Sequence, residues 1–370
     1  MINRDNMAAP AKSIGFEMYG VKLNLMGDYI ELLEYQEMLM PGLSGPPHEN
    51  PDLEVYAHWL DTPHQKGVSY FENIDHLNGI GKRMLIGEDE LVWVDTHRDK
   101  DMQLAFRRNG QRPVFDVAYC YQPSQKKQVK YPKFREKKFF DLARYLVFFP
   151  IAWHLERTRS WMLIHASAVS DGENSILIAG PGGAGKTTTC VGLIARTGMK
   201  LLTENLLLCD GEKIYPVIEP LRLTDDSLAL LKNAMKGLEP IELPGGLRTK
   251  TMYWLPEGQK LRSAKPAIMF IPQFAKKGFT HPLSPGLAQE QINATNRLTL
   301  ELNDYYWYTA ALDVLWPEPG NSQRQLNVLN KLTKTAPCYS LGIDKSAGVE
   351  PVVDQILHCL ELHNTFEEVH

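Results

Sequence analysis

At 370 residues the chain is long enough for one large or two medium domains with proper cores. It is 44% hydrophobic and 23% charged with a net charge of −4, the balance of an ordinary folded protein. That charge gives no reason to expect nucleic acid or an anionic membrane as partner.

In chain order, residues 1–125 read as a β-rich module. Runs at 20–25, 53–60, 83–86, 90–94 and 114–119 alternate or cluster apolar side chains. Pro41-Gly42, Gly45-Pro46-Pro47 and Asn78-Gly79 mark loops between them. Residues 126–160 form a linker and a helix: the Lys-rich stretch 125–138 reads as a solvated linker, and 139–149 as an amphipathic helix. The apolar run 145–153 is too short to span a bilayer and contains Pro150. From residue 161 to 370 the pattern is that of a nucleotide-binding domain. Strands are expected at 162–169 and 176–179, a helix at 188–196, and a strand at 199–202. A hairpin follows at 206–209 and 214–217 around Asp210-Gly211, then strands at 267–272 and 338–341 and a helix at 352–363. The five cysteines (Cys120, Cys190, Cys209, Cys338, Cys359) lack C-x-x-C spacing, so neither a zinc ribbon nor a disulfide frame is expected. The first residues carry no signal-peptide pattern, and the expectation is a reduced, cytoplasmic enzyme.

The most specific motif is Gly180-Pro-Gly-Gly-Ala-Gly-Lys-Thr187, a complete G-x-x-x-x-G-K-[ST] phosphate loop between an apolar strand and a helix. Gly180, Gly182, Gly183, Ala184 and Gly185 would turn backbone N–H groups toward phosphates, at a helix start that carries partial positive charge. Lys186 would reach the β- and γ-phosphates, Thr187 would sit on Mg²⁺, and Thr188 would complete the cradle. A second element typical of phosphate-loop enzymes is an apolar strand ending in Asp. One literal match, Leu206-Leu-Leu-Cys-Asp210, reads better as a hairpin with Asp210 in the turn. The strand at 267–270 runs into Ile271-Pro272 with no carboxylate, so switch and partition ATPases fit poorly.

His165-Ala-Ser-Ala-Val169, the phosphate loop, and Gly198-Met-Lys-Leu-Leu-Thr-Glu-Asn205 together resemble the HPr kinase-like family over about 163–223, and more loosely to the C-terminus. The shared pattern is a histidine on one strand, a phosphate loop, and an acidic pair ending the next strand. The resemblance implies an α/β fold, a core of the HPr kinase and phosphoenolpyruvate carboxykinase type, preceded here by the β-rich N-terminal domain. It implies ATP and Mg²⁺ as cofactors and transfer to a serine of a protein or peptide. A small-molecule kinase on the same core and a nucleotide sensor that no longer catalyses are the alternatives. By position, His165 would lie near the γ-phosphate, and Glu204 would act as general base and metal-side carboxylate. Asn205 replaces the second acid, keeping a ligand oxygen without the charge. Arg222 stands where such kinases carry a phosphate-facing arginine, and reads equally as a surface strand residue. Gly245-Gly246-Leu-Arg248-Thr-Lys250 reads as a substrate clamp or as a basic surface loop. Such kinases often assemble, which leaves room for a homo-oligomer, and the N-terminal module would select the substrate.

Overall fold

The computed structural model describes residue 2 and residues 10–96, 99–130, 133–231, 238–241, 251–254 and 261–367. The basic loop at 245–250 lies outside the described residues. The protein is a mixed α/β protein with two mixed sheets of nine and eight strands, a small three-stranded sheet, and helices. It divides into two compact units: one contains Met1–Leu155 and Asp304–Pro319, the other Glu156–Glu242, Leu247–Asn303 and Gly320–His370.

The first unit is organised around the nine-stranded sheet. Its spatial order is Ser44–Gly45, Lys12–Met18, Val21–Gly27, Leu53–Leu60, Arg112–Cys120, Met102–Asn109, Glu90–Trp93, Met84–Ile86 and Asn78–Ile80. Asn78-Gly79, expected as a loop, is instead the start of an edge strand paired with Met84–Ile86. The reversal comes later, at Gly81, whose φ of 60° suits a turn that a side chain would strain. A helix at Ile30–Leu39 also interrupts the β pattern. Its buried Leu32, Tyr35, Gln36 and Leu39 recur at the spacing that lines one helix face.

The expected helix at 139–149 proves longer. Helix Phe134–Ala143 passes through a widened turn, Arg144–Phe148, into helix Phe149–Arg159. Phe149 N–H reaches back to Arg144 O, a five-residue step. That widened turn directly precedes Pro150, whose ring cannot fit a regular helical turn and has no N–H to give. The proline therefore shifts the helix's register instead of ending it. Within this unit, Phe115 packs edge-on against Phe106 and Trp153, with ring centres 5.6 and 5.5 Å apart.

The second unit is a sheet clothed by helices on both faces. Strands Ile214–Pro216, Leu206–Cys209, Met162–Ser170, Ser175–Ala179, Ile268–Phe274, Cys338–Ile343 and Phe279–Leu283 follow in order, and Lys200–Thr203 also pairs with Met162–Ser170. Side chains alternate between the faces along each strand, as the two-residue pleat requires. Val169, Ile176, Ile178, Ile268 and Phe270 pack with Cys190, Leu193 and Ile194 of helix Lys186–Thr197 and with Val353 and Ile356 of helix Glu350–Glu367. Ala166, Ala168, Leu177, Ala179 and Met269 face Ala288 and Ile292 of helix Pro285–Leu298 and Leu329 and Leu332 of helix Asn321–Thr335. The five cysteines are all buried and unpaired with one another. Among the described residues no helix is long and apolar enough to cross a membrane.

Leu177 is fully buried between the sheet and its second helical layer. Leu177→Ala is expected to lower unfolding free energy by about 2–5 kcal/mol, read from urea denaturation, because the cavity cannot fully collapse. A change below about 1 kcal/mol would mean the layer repacks around the missing side chain.

Candidate active site

Strand Ser175–Ala179 delivers the chain to Gly180, and the loop turns into helix Lys186–Thr197. Gly183 and Gly185 take φ of 78° and 87°, a left-handed backbone open to glycine and strained for other residues. A β-carbon built on Gly182 or Gly183 would meet nothing within 4 Å, so the space beside the loop is open at these two positions. Thr188 is exposed on the first turn of the helix, beside the buried Lys186 and the half-buried Thr187.

Lys186 turns back beneath the loop. Its Nζ donates to Gly180 O and Pro181 O, both at 2.9 Å. His165, on strand Met162–Ser170, has Nδ1 2.7 Å from the same Gly180 O. A carbonyl oxygen only accepts, so Nδ1 carries the ring proton. The 3.4 Å approach of Lys186 Nζ to Nδ1 is therefore a charge near a ring and not a hydrogen bond. Burial, with the Lys186 charge behind it, pulls the His165 pKa down from 6.5 to about 4, against the opposing pull of Gly180 O, Glu301 and Asn205. At neutral pH this imidazole is uncharged.

The acidic pair sits at a break in pairing. Strand Lys200–Thr203 lies along 168–170 of strand Met162–Ser170, and strand Leu206–Cys209 lies along 162–165 of the same strand. Glu204 and Asn205 fill the gap opposite Ala166 and Ser167. Ala166 N–H donates to Asn205 O at 3.1 Å, and the Ser167 hydroxyl donates to Glu204 O at 2.6 Å. A side chain thus completes what the regular ladder leaves unmade. The register is the same on both sides of the gap, Ala168 opposite Thr203 and His165 opposite Leu206, so no residue is inserted there. Glu204 Oε1 accepts from the Thr187 hydroxyl at 2.6 Å. Asn205 Nδ2 donates to Glu219 Oε1 at 2.8 Å.

Arg222, on strand Leu221–Leu223, is buried, which rules out its reading as a surface strand residue. Burial works against its charge, but Glu219, Glu204 and Glu301 outweigh it and move its pKa up. Its Nε stands 3.6 Å from Glu204 Oε2, an ion-pair distance too long for a hydrogen bond. Both atoms are buried with no hydrogen-bond partner. Such orphaned groups are costly, and they mark a place where a further ligand would be held. Asp210, by contrast, caps its own hairpin, accepting from Glu212 N at 2.8 Å and Lys213 N at 2.7 Å.

His165, Lys186, Thr187, Glu204, Asn205 and Arg222 are thus gathered around the phosphate loop. Sequence reading missed Glu219, Glu301, Thr299 and Asn296. Thr299 Oγ1 lies 3.1 Å from His165 Nδ1, and Asn296 Oδ1 accepts from His165 N–H at 3.2 Å. Both come from the end of a helix 131 and 134 residues away, with no motif around them. A buried asparagine on an otherwise apolar helix face was the only available signal.

Among the described residues no cluster of three or more His, Cys, Asp or Glu is arranged to hold a metal. What the site offers instead is oxygen: the Thr187 hydroxyl, the Glu204 carboxylate and the Asn205 amide. That donor set suits a hard cation such as Mg²⁺, which takes one or two protein ligands and completes its shell with phosphate and water. The open space beside Gly182 and Gly183 and the orphaned Arg222 Nε fit a polyphosphate. No family model matches the chain, and no curated protein matches it.

Because folding lowers the His165 pKa, the unfolded chain binds more protons between about pH 4 and 6.5, and stability falls on acidification through that window. The expected loss from this residue is about 3 kcal/mol. His165→Gln should remove it: between pH 7 and pH 4 the variant's unfolding free energy should gain about that much on the wild type. Urea titrations across the range provide the check, and a gap independent of pH would show that His165 is not the group being charged.

Proposed function

We propose that the chain is an ATP- and Mg²⁺-dependent kinase that phosphorylates a hydroxyl, a serine of a protein or peptide, on a core of the HPr kinase and phosphoenolpyruvate carboxykinase type. The observation that carries this reading is the contact of Glu204 with Thr187, 2.6 Å apart, beside a complete phosphate loop. A carboxylate within reach of the loop's metal-binding hydroxyl is the arrangement that phosphoryl transfer needs.

ATP with Mg²⁺, when bound, supplies a transferable phosphoryl group and the charge that screens it. Lys186 exchanges the carbonyls of Gly180 and Pro181 for phosphate oxygens, a charge-assisted contact stronger than the one it gives up. Thr187, whose hydroxyl donates to Glu204, would be the residue that holds the cation. Glu204 accepts the proton of the attacking serine hydroxyl as the new oxygen–phosphorus bond forms and the bond to ADP breaks. Arg222 gives its permanent charge and planar fork to the transferring group and to Glu204. His165 acts as a positioning residue: neutral, it fixes Gly180 O and helps hold Lys186 in place. The unit containing Met1–Leu155 is large enough to select the acceptor.

The engagement of Asn205 by Glu219 favours a second reading, in which the acidic pair has lapsed and the chain senses nucleotide without transferring phosphate. Glu204→Gln separates the two. Under the kinase reading it keeps Mg·ATP binding and loses transfer to protein by about 10²–10⁴-fold, the span of a general base. Lys186→Ala should lose binding itself. γ-Labelled ATP incubated with lysate of the native organism, for wild type and both variants, reads transfer, and calorimetry reads binding. Tight binding by wild type with no labelled polypeptide would move the assignment to the sensor.

A further inference from the structure

The site's asymmetry has a consequence for the other end of the nucleotide. His165, Glu204 and Asn205 all lie on one flank of strand Ser175–Ala179, on strand Met162–Ser170 or opposite it. Lys186 and Thr187 lean to that flank, toward His165 and Glu204. A triphosphate whose terminal group meets these residues must leave the loop on the opposite flank. There strands Ile268–Phe274 and Cys338–Ile343 run parallel to Ser175–Ala179, so their carboxyl ends open on the same side as the loop. In open α/β sheets ligands settle beyond such strand ends.

These two strand ends touch the loop. Pro272 Cδ would lie 3.1 Å from a β-carbon on Gly180, and Ile343 Cδ1 would lie 3.3 Å from one on Gly185. Phe274 is paired with Ile343, and Ala275 N–H donates to Ile343 O at 3.0 Å. Counting in steps of two from Phe270, which packs under helix Lys186–Thr197, puts Phe274 on the face of that helix. Phe274 is 46% exposed, an unusual place for a large apolar residue at the end of a buried strand. Lys345 Nζ lies 3.6 Å from the ring centre. Asp344 fixes the turn that presents this lysine, accepting from Ser346 N at 2.8 Å.

We propose that Phe274, backed by Lys345, is the stacking platform for the nucleobase of the bound nucleotide. This inference rests on the phosphate-loop reading of the same site. The cation polarises one face of the ring and leaves area for a planar ligand. Stacking uses a π-face that every nucleobase has, so the occupant is a nucleoside and the platform does not choose among bases.

The test compares Mg·ATP with Mg·tripolyphosphate, which has the phosphates and no base, by calorimetry on the full chain. Phe274→Ala is expected to weaken ATP about tenfold, the scale of one base–aromatic stack, and to leave tripolyphosphate within about twofold. Retained tripolyphosphate binding also shows that the variant is folded. An unchanged ATP affinity, or an equal loss for both ligands, would overturn the platform while leaving the phosphate loop in place. If wild type binds neither ligand, the nucleotide reading falls and the platform with it.

Discussion

The site depends on one interruption in a ladder. Strand Met162–Ser170 is paired on one side by Ser175–Ala179, which feeds the phosphate loop, and on the other by two short strands with Glu204-Asn205 between them. Because Ala166 N–H and the Ser167 hydroxyl satisfy the carbonyls of the gap, the break costs few hydrogen bonds and is held in register. At this break Glu204 meets Thr187 and Asn205 meets Glu219 within one buried site. His165 comes from the same central strand, so loop, histidine and carboxylate are placed by three neighbouring segments of a single rigid sheet.

Charge then keeps the site together. Lys186 and Arg222 are buried cations, and each is compensated differently. Lys186 uses loop carbonyls and sits beside an imidazole that burial keeps neutral. Arg222 uses the carboxylates of Glu204, Glu219 and Glu301. Had His165 kept its ordinary pKa, its charge would oppose Lys186 below neutral pH. Instead the two share Gly180 O, one as lysine donor and one as ring N–H donor. The carbonyl at the mouth of the loop therefore links the histidine strand to the lysine helix. Arg222 Nε and Glu204 Oε2 remain buried at 3.6 Å with unused hydrogen-bonding capacity, a polar cost that a bound anion and its counter-ion would relieve.

Much of this was legible one residue at a time. The glycine-rich turn from strand to helix, the alternation of the strands around it, the hairpin at Asp210 and the place of Glu204 after an apolar strand all follow from local spacing. The helix through Pro150 was read too short, because the residue that normally ends a helix is here absorbed by a widened turn. Asn78-Gly79 was read as a turn from its dipeptide, while pairing with Met84–Ile86 moved the turn to Gly81. Local chemistry proposes these features, and the neighbouring strand decides between them.

Local sequence fixes the glycine-rich turn from strand to helix, its lysine and hydroxyl, and the order histidine, loop, carboxylate, because each depends on short-range backbone chemistry. The tertiary structure alone decided that Arg222 is buried, that Glu219 and Glu301 share its charge, and that Thr299 and Asn296 clasp His165. It also decided that Phe274 and Lys345, distant in sequence from the loop, meet at strand ends beside it. These contacts join segments far apart in sequence, 134 residues in the case of Thr299 and His165. A pattern of periods and motifs carries no record of them, since they exist only once the sheet has brought its strands into register.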